Sequence, residues 1–212
     1  MASELDIFIN QTFTDILSSR GFKKRGRTYR LTSPAGDQIL FNISSDALQG
    51  TVQYFVLTVA VTPLIMLDYY HHTLGSPINR PLRVSDWVAT SNILAPSGQY
   101  SRNATIDWPF KGVTESAETA TEIRRILTGG ILDYLCSLLD RRSLLSLTRA
   151  EAGSSDEWAL LWSTFNSTVA SILLLIQDGP SDELATALRQ AKIKGYNQTF
   201  EWARSYLDRH PR

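Results

Sequence analysis

A single cysteine, Cys136, excludes any internal disulfide framework. It stands among Leu132, Leu135, Leu138 and Leu139, where a small apolar side chain packs, so it is expected as a core thiol rather than a reactive one. Net charge is also lacking, with 21 basic residues balancing 21 acidic ones. That balance excludes the global field of a strongly basic nucleic-acid binder, and any charged patch must be local. Long apolar runs are missing too: the longest, Ile172 to Ile176, falls far short of a bilayer span. The opening MASELDIFINQ has neither the basic nor the apolar region of a signal peptide, so the expected location is the cytoplasm, with no membrane contact. No phosphate-binding glycine loop, nucleophile elbow or dinucleotide fingerprint occurs, and no cofactor is expected.

What is present is an ordinary globular composition, 43% hydrophobic and 20% charged, long enough to bury a substantial core. Leu5, Phe8, Ile9, Phe13, Ile16 and Leu17 recur at helical spacing, with Ser3 placed to cap the helix and Gly21 to end it. From Arg27 the period changes to two. Tyr29 and Leu31 lead through the turn SPAGD to Ile39, Phe41 and Ile43, which predicts a hairpin. Val52 to Val61 is apolar on both faces, predicting a central strand that Pro63 terminates. Short strands are expected at Leu82 to Trp87 and Thr105 to Trp108 among prolines.

Beyond Thr114 the pattern is helical. One long helix is expected from Ile123 to Leu138 through Gly129 and Gly130, followed by a short one near Leu144 to Thr148. After AEAGSSDE, a helix is expected over Trp158 to Ile176, then a helical hairpin whose halves meet at Gly195. These elements predict an α+β protein. An antiparallel sheet of four or five strands, with the first helix on one face, would occupy residues 1–150, and an all-helical part packed on it residues 151–212.

The N-terminal helix, GFKKRGRTYRL at Gly21 to Leu31, the hairpin into FNISS, the long strand, Trp108 and the helix entering ILDYLCSLLDRRSLLSL together resemble the bacterial family called domain of unknown function 4304. The resemblance spans roughly residues 4–150 and implies the fold of that region. This chain carries Asn42, Ile43 and Ser44 where family members commonly have a glutamine, and Ala60, Val61 and Thr62 where they have a glycine. The family brings no activity, so no functional residue follows from it.

Two clusters are candidate sites. Lys23, Lys24, Arg25, Arg27 and Arg30 put five positive charges within eight residues, beside Phe22 and Tyr29. Arginine grips carboxylate or phosphate and an aromatic ring can stack a base, but continuous alternation places Arg25, Arg27 and Tyr29 on one face and Thr28 and Arg30 on the other. The charges then divide, and a solvated sheet edge or an acidic protein partner accounts for them better than nucleic acid does. Asp68, Tyr69, Tyr70, His71 and His72 hold two of the three histidines. A carboxylate beside imidazoles suits general base chemistry, yet the spacing supplies no metal-ligand set, and a surface loop after the third strand is the simpler reading. Asp86 with Trp87 and Asp107 with Trp108 repeat an acid before an indole, which suits packing or a carbohydrate platform.

The expected function is a non-catalytic protein-binding or adaptor module with an unidentified protein partner, contacted through Lys23, Lys24, Arg25 and Arg27. An immunity-like protein that neutralises a toxin is one form of it. The alternative is a small-ligand binder or enzyme with a cleft between sheet and helices, using Asp68, Tyr70, His71 and His72.

Overall fold

A computed structural model describes residues 3–49, 52–95, 107–149 and 160–211. The first helix, α1 (Glu4–Ser19), begins on a capping box: Ser3 Oγ accepts from the Asp6 backbone N–H and Asp6 accepts from the Ser3 N–H. Its apolar stripe, Leu5, Phe8, Ile9, Phe13 and Leu17, is buried. Seven strands follow in one sheet, β1 (Lys23–Arg25), β2 (Thr28–Thr32), β3 (Gln38–Gln49), β4 (Val52–Thr62), β5 (Ala89–Ile93), β6 (Asp107–Phe110) and β7 (Leu160–Thr164). Their spatial order is β1-β2-β3-β4-β5-β7, and β6 pairs β4 beside β5, with every pairing antiparallel.

The strand count exceeds the expected four or five for identifiable reasons. β1 is only three residues long and leaves little periodic signal. The strand expected at Leu82 to Trp87 is a 3₁₀ turn at Val84–Asp86, and β5 starts two residues after Trp87. β7 lies inside the stretch expected as one helix over Trp158 to Ile176. There Trp162 sits beside Ser91, and a separate helix, α6 (Ser167–Leu175), starts where Asn166 Oδ1 accepts from the N–H groups of Thr168 and Val169. Apolar residues at Leu161, Trp162 and Phe165 satisfy helical spacing and strand pairing alike, and the free edge of β5 decides between them.

The sheet has two unlike faces. Tyr29, Phe41, Val59 and Ser91 occupy one cross-strand row, and Ile43 and Leu57 another, all on the inner face. Phe8 packs on Phe55 and Phe110, with ring centroids 5.8 and 5.3 Å away, and Phe13 packs on Phe41 at 5.8 Å. Tyr134 and Trp162 extend this layer. Trp108, 1% exposed, closes the end of the sheet and donates its indole N–H to the Ile93 carbonyl at 2.9 Å, so it offers no carbohydrate platform. On the outer face, Arg30 stands opposite Leu40, and its guanidinium donates to the carbonyl of buried Leu82.

Helices α2 (Ile65–Leu74), α3 (Ala117–Ile126), α4 (Leu132–Ser137), α5 (Arg141–Arg149), α7 (Asp182–Ile193) and α8 (Asn197–Arg209) complete the chain with α1 and α6. The long helix expected from Ile123 to Leu138 is interrupted. A π turn at Leu127–Ile131 separates α3 from α4, and Gly130 takes φ 105°, a conformation that favours glycine over any side chain. AEAGSSDE lies outside the described residues. The helical hairpin forms as expected from α7 and α8. Among the described residues, no helix is long and apolar enough to cross a membrane.

Candidate functional site

Asp68 to His72 form the middle of α2, not a surface loop. Successive helical side chains point about 100° apart, so neighbours in this run diverge, while Asp68 and His72, four residues apart, lie on one face. Asp68 accepts from Arg209 Nη1 and Nη2 at 3.1 and 3.0 Å and from Trp202 Nε1 at 2.8 Å. Burial opposes ionisation of Asp68, but donation by Arg209 and Trp202 outweighs it and holds the carboxyl below its usual range. Tyr69 hydroxyl pairs with Thr199 Oγ1 at 3.1 Å, and its ring meets Trp202 edge-on. Tyr70 is half-buried, and burial, with the Asp86 charge, pushes its phenol up. His71 Nδ1 meets the Ser76 carbonyl at 2.9 Å, just past the helix end, while His72 is exposed. Asp68 is thus held in a clamp on α8.

A different partner set reaches Asp68. Leu64, Ile65, Leu67 and Ile78 form the apolar wall of a groove of about 350 Å³ between α2 and α8. Asp68, Tyr206 and His210 supply polar groups, and the His210 ring stacks on Tyr206 with centroids 4.3 Å apart. His210 lies at the C-terminal end of α8, outside both candidate clusters of the sequence. Its i, i+4 spacing from Tyr206 on the expected last helix was the available signal. Among the described residues, no group of three or more His, Cys, Asp or Glu side chains is placed to hold a metal ion. Cys136 is half-buried, and burial pushes its thiol up, in keeping with a packed thiol.

The basic stretch folds as a tight hairpin, and this corrects the face assignment. Arg25 stands opposite Thr28, so Gly26 and Arg27 are the turn, with Gly26 at φ 62°. A two-residue turn breaks the alternation, so Arg25 does not share the face of Tyr29. Lys24 does: it lies opposite Tyr29, covers its ring at 5.4 Å and donates to Asn10 Oδ1 on α1. Burial lowers the Lys24 pKa, with Asp6 and Arg27 acting in opposite senses. Arg27 Nε bonds Asp6 Oδ1 at 2.7 Å, and that hydrogen bond, with those from Ser3, holds the Asp6 carboxyl far below the usual carboxylate range. Lys23 and Arg25 remain exposed on the outer face with Arg30.

From Arg25 a polar row crosses that face: Thr28, Asn42, Thr58 and Asn92 stand opposite one another on successive strands and are all half-exposed. Thr28 donates to Asn42 at 2.8 Å and Thr58 to Asn92 at 2.9 Å. Phe22 and Tyr29, the aromatics beside the charges, are 3% and 0% exposed and offer no stacking surface. A larger groove of about 550 Å³ lies along α5, α6 and α7, where Arg149 is paired with Glu183 at 2.6 Å. Compared with protein-family models, curated proteins and solved structures, the chain finds no match.

Proposed function

We propose that this chain is a non-catalytic protein-binding module whose contact surface is the outer face of the sheet at its β1 side. The observation that carries this reading is the half-exposed row Thr28, Asn42, Thr58, Asn92, flanked by exposed Lys23 and Arg25. An ordered polar array on a rigid sheet can specify a partner by hydrogen bonds, with flanking charges steering encounter. The engagement of Asp68 with Trp202 and Arg209, and of His71 with the Ser76 carbonyl, supports the same reading, since acid–base chemistry needs such groups aimed at one reacting centre. An immunity-like role is one form of such binding. The likeness to domain of unknown function 4304 enters for the order of elements alone.

The test is affinity capture from the producing cells with the native chain, an Asn42→Arg/Asn92→Arg variant and a Leu64→Glu variant. A partner held by the native chain and by Leu64→Glu, but lost by the outer-face variant, supports the reading. Loss on Leu64→Glu alone would transfer binding to the α2–α8 groove and overturn it. That groove carries the second reading, a small-ligand site, because Asp68 and His210 share it with an aliphatic wall. A ligand that raises the melting temperature of the native chain but not of Leu64→Glu would support that alternative.

A further inference from the structure

We infer that the exposed edge of β1 accepts an extended polypeptide strand carrying carboxylates at alternate positions. This rests on the protein-binding reading above and names the chemistry of the partner. Among the described residues β1 ends the sheet: it pairs with β2 alone, and all three of its residues are exposed. The backbone groups of Lys23 and Arg25 turn to β2, as the Arg27 carbonyl turns to β3, so this edge offers an incoming strand the N–H and C=O of Lys24. The charges around this edge select which strand enters.

Lys23 stands directly opposite Arg30, a cross-strand pair of like charges that disfavours the isolated hairpin. Arg30 donates to Gln38 Oε1 and the Leu82 carbonyl, both neutral, so its charge is not cancelled. Arg25 lies two residues from Lys23 on the same face. Among the described residues, no carboxylate forms an ion pair with Lys23, Arg25 or Arg30. The other cations of the stretch differ: Arg27 is paired with Asp6, and Lys24 turns to Asn10. Three uncompensated cations therefore gather at one end of the outer face.

Lys23 and Arg25 are about 6.7 Å apart along the strand, the repeat at which alternate side chains of a neighbouring strand recur. Acidic residues at i and i+2 of an added strand would each face one cation, and the nearer would also relieve the Lys23–Arg30 repulsion. Nucleic acid fits less well. Phe22 and Tyr29 are buried in the core, and the chain has no net positive charge to hold a long polyanion.

A fluorescent peptide of alternating threonine and glutamate is titrated against the full chain, beside an alternating threonine–glutamine peptide and an oligo-dT strand. Expected results are preferential binding of the glutamate peptide, weakening with salt, and slowed amide exchange at Lys24 on binding. A Lys23→Gln/Arg25→Gln variant should bind about tenfold more weakly, as two exposed charge pairs predict. The inference is overturned if the glutamine peptide binds equally, if the oligonucleotide binds more tightly, if the variant binds as well as the native chain, or if exchange at the Lys24 amide is not slowed. Should the acidic peptide fail while the captured partner still depends on Asn42 and Asn92, the outer face stands as contact surface and only the acidic strand falls. Failure of both removes the protein-binding reading itself.

Discussion

Replacing Asp68 with alanine removes the acceptor that joins α2 to α8. Trp202 is fully buried, and its indole N–H donates to Asp68, whose side chain is 17% exposed. Stranding that donor costs about 1–3 kcal/mol. Arg209 is 47% exposed, so solvent reduces its ion pair to about 0.5 kcal/mol. The total is about 1.5–3.5 kcal/mol, or a fall of about 3–14 °C in melting temperature for a chain of this size. Asp68→Asn keeps an oxygen for the indole and should cost about 1 kcal/mol. Urea unfolding of Asp68→Ala in native and Trp202→Phe backgrounds isolates the bond. In Trp202→Phe, the Asp68 change should cost only the share of the Arg209 pair. Equal costs in both backgrounds, within about 0.5 kcal/mol, would refute the clamp. The acid limb supplies a second readout. The folded pKa of Asp68 lies below its unfolded value of about 3.9. The stabilisation is therefore complete above that value and is lost as pH falls through the folded pKa, so Asp68→Ala should flatten the acid limb and leave neutral pH unchanged in slope.

Three further substitutions probe the frame around these surfaces. Asn166→Ala removes the cap of α6 immediately after β7 and should cost about 1 kcal/mol in chemical unfolding. Gly36→Ala meets two penalties, a φ of 88° and a Cβ only 2.8 Å from Leu64 Cδ2, and should lower stability by about 1–2 kcal/mol in thermal melts. Lys23→Gln relieves the like-charge pair with Arg30 and should leave stability unchanged or raise it by a few tenths of a kcal/mol, about 0.2–0.5. A clear loss in calorimetry would mean that Lys23 has a stabilising role within the fold.

Much of the frame was legible because its signals are local. Ser3, the stripe from Leu5 to Leu17 and Gly21 define α1 without reference to any other part of the chain. SPAGD and the flanking alternation mark β2 and β3, and the β-branched run marks β4. β7 was not legible, because its identity comes from the edge of β5, a partner about seventy residues earlier. Of the basic candidate residues, Lys23 and Arg25 kept exposed positions with no ion-pair partner among the described residues. Lys24 and Arg27 were drawn to α1 by Asn10 and Asp6, and Asp68 was drawn to α8 by Trp202 and Arg209.

By itself, then, the sequence determined the helix and strands from α1 to β4, the C-terminal helical hairpin and that an α+β core would form, since periodicity and turn chemistry act over a few residues. Tertiary structure decided which charges face outward. The two-residue turn at Gly26 and Arg27 reset the parity of the strands, and contacts as distant as Asp68 to Arg209 chose the partner of each polar group. Hydrogen bonds and ion pairs depend on positions in space, and those exist only once the sheet and its helices have closed on one another.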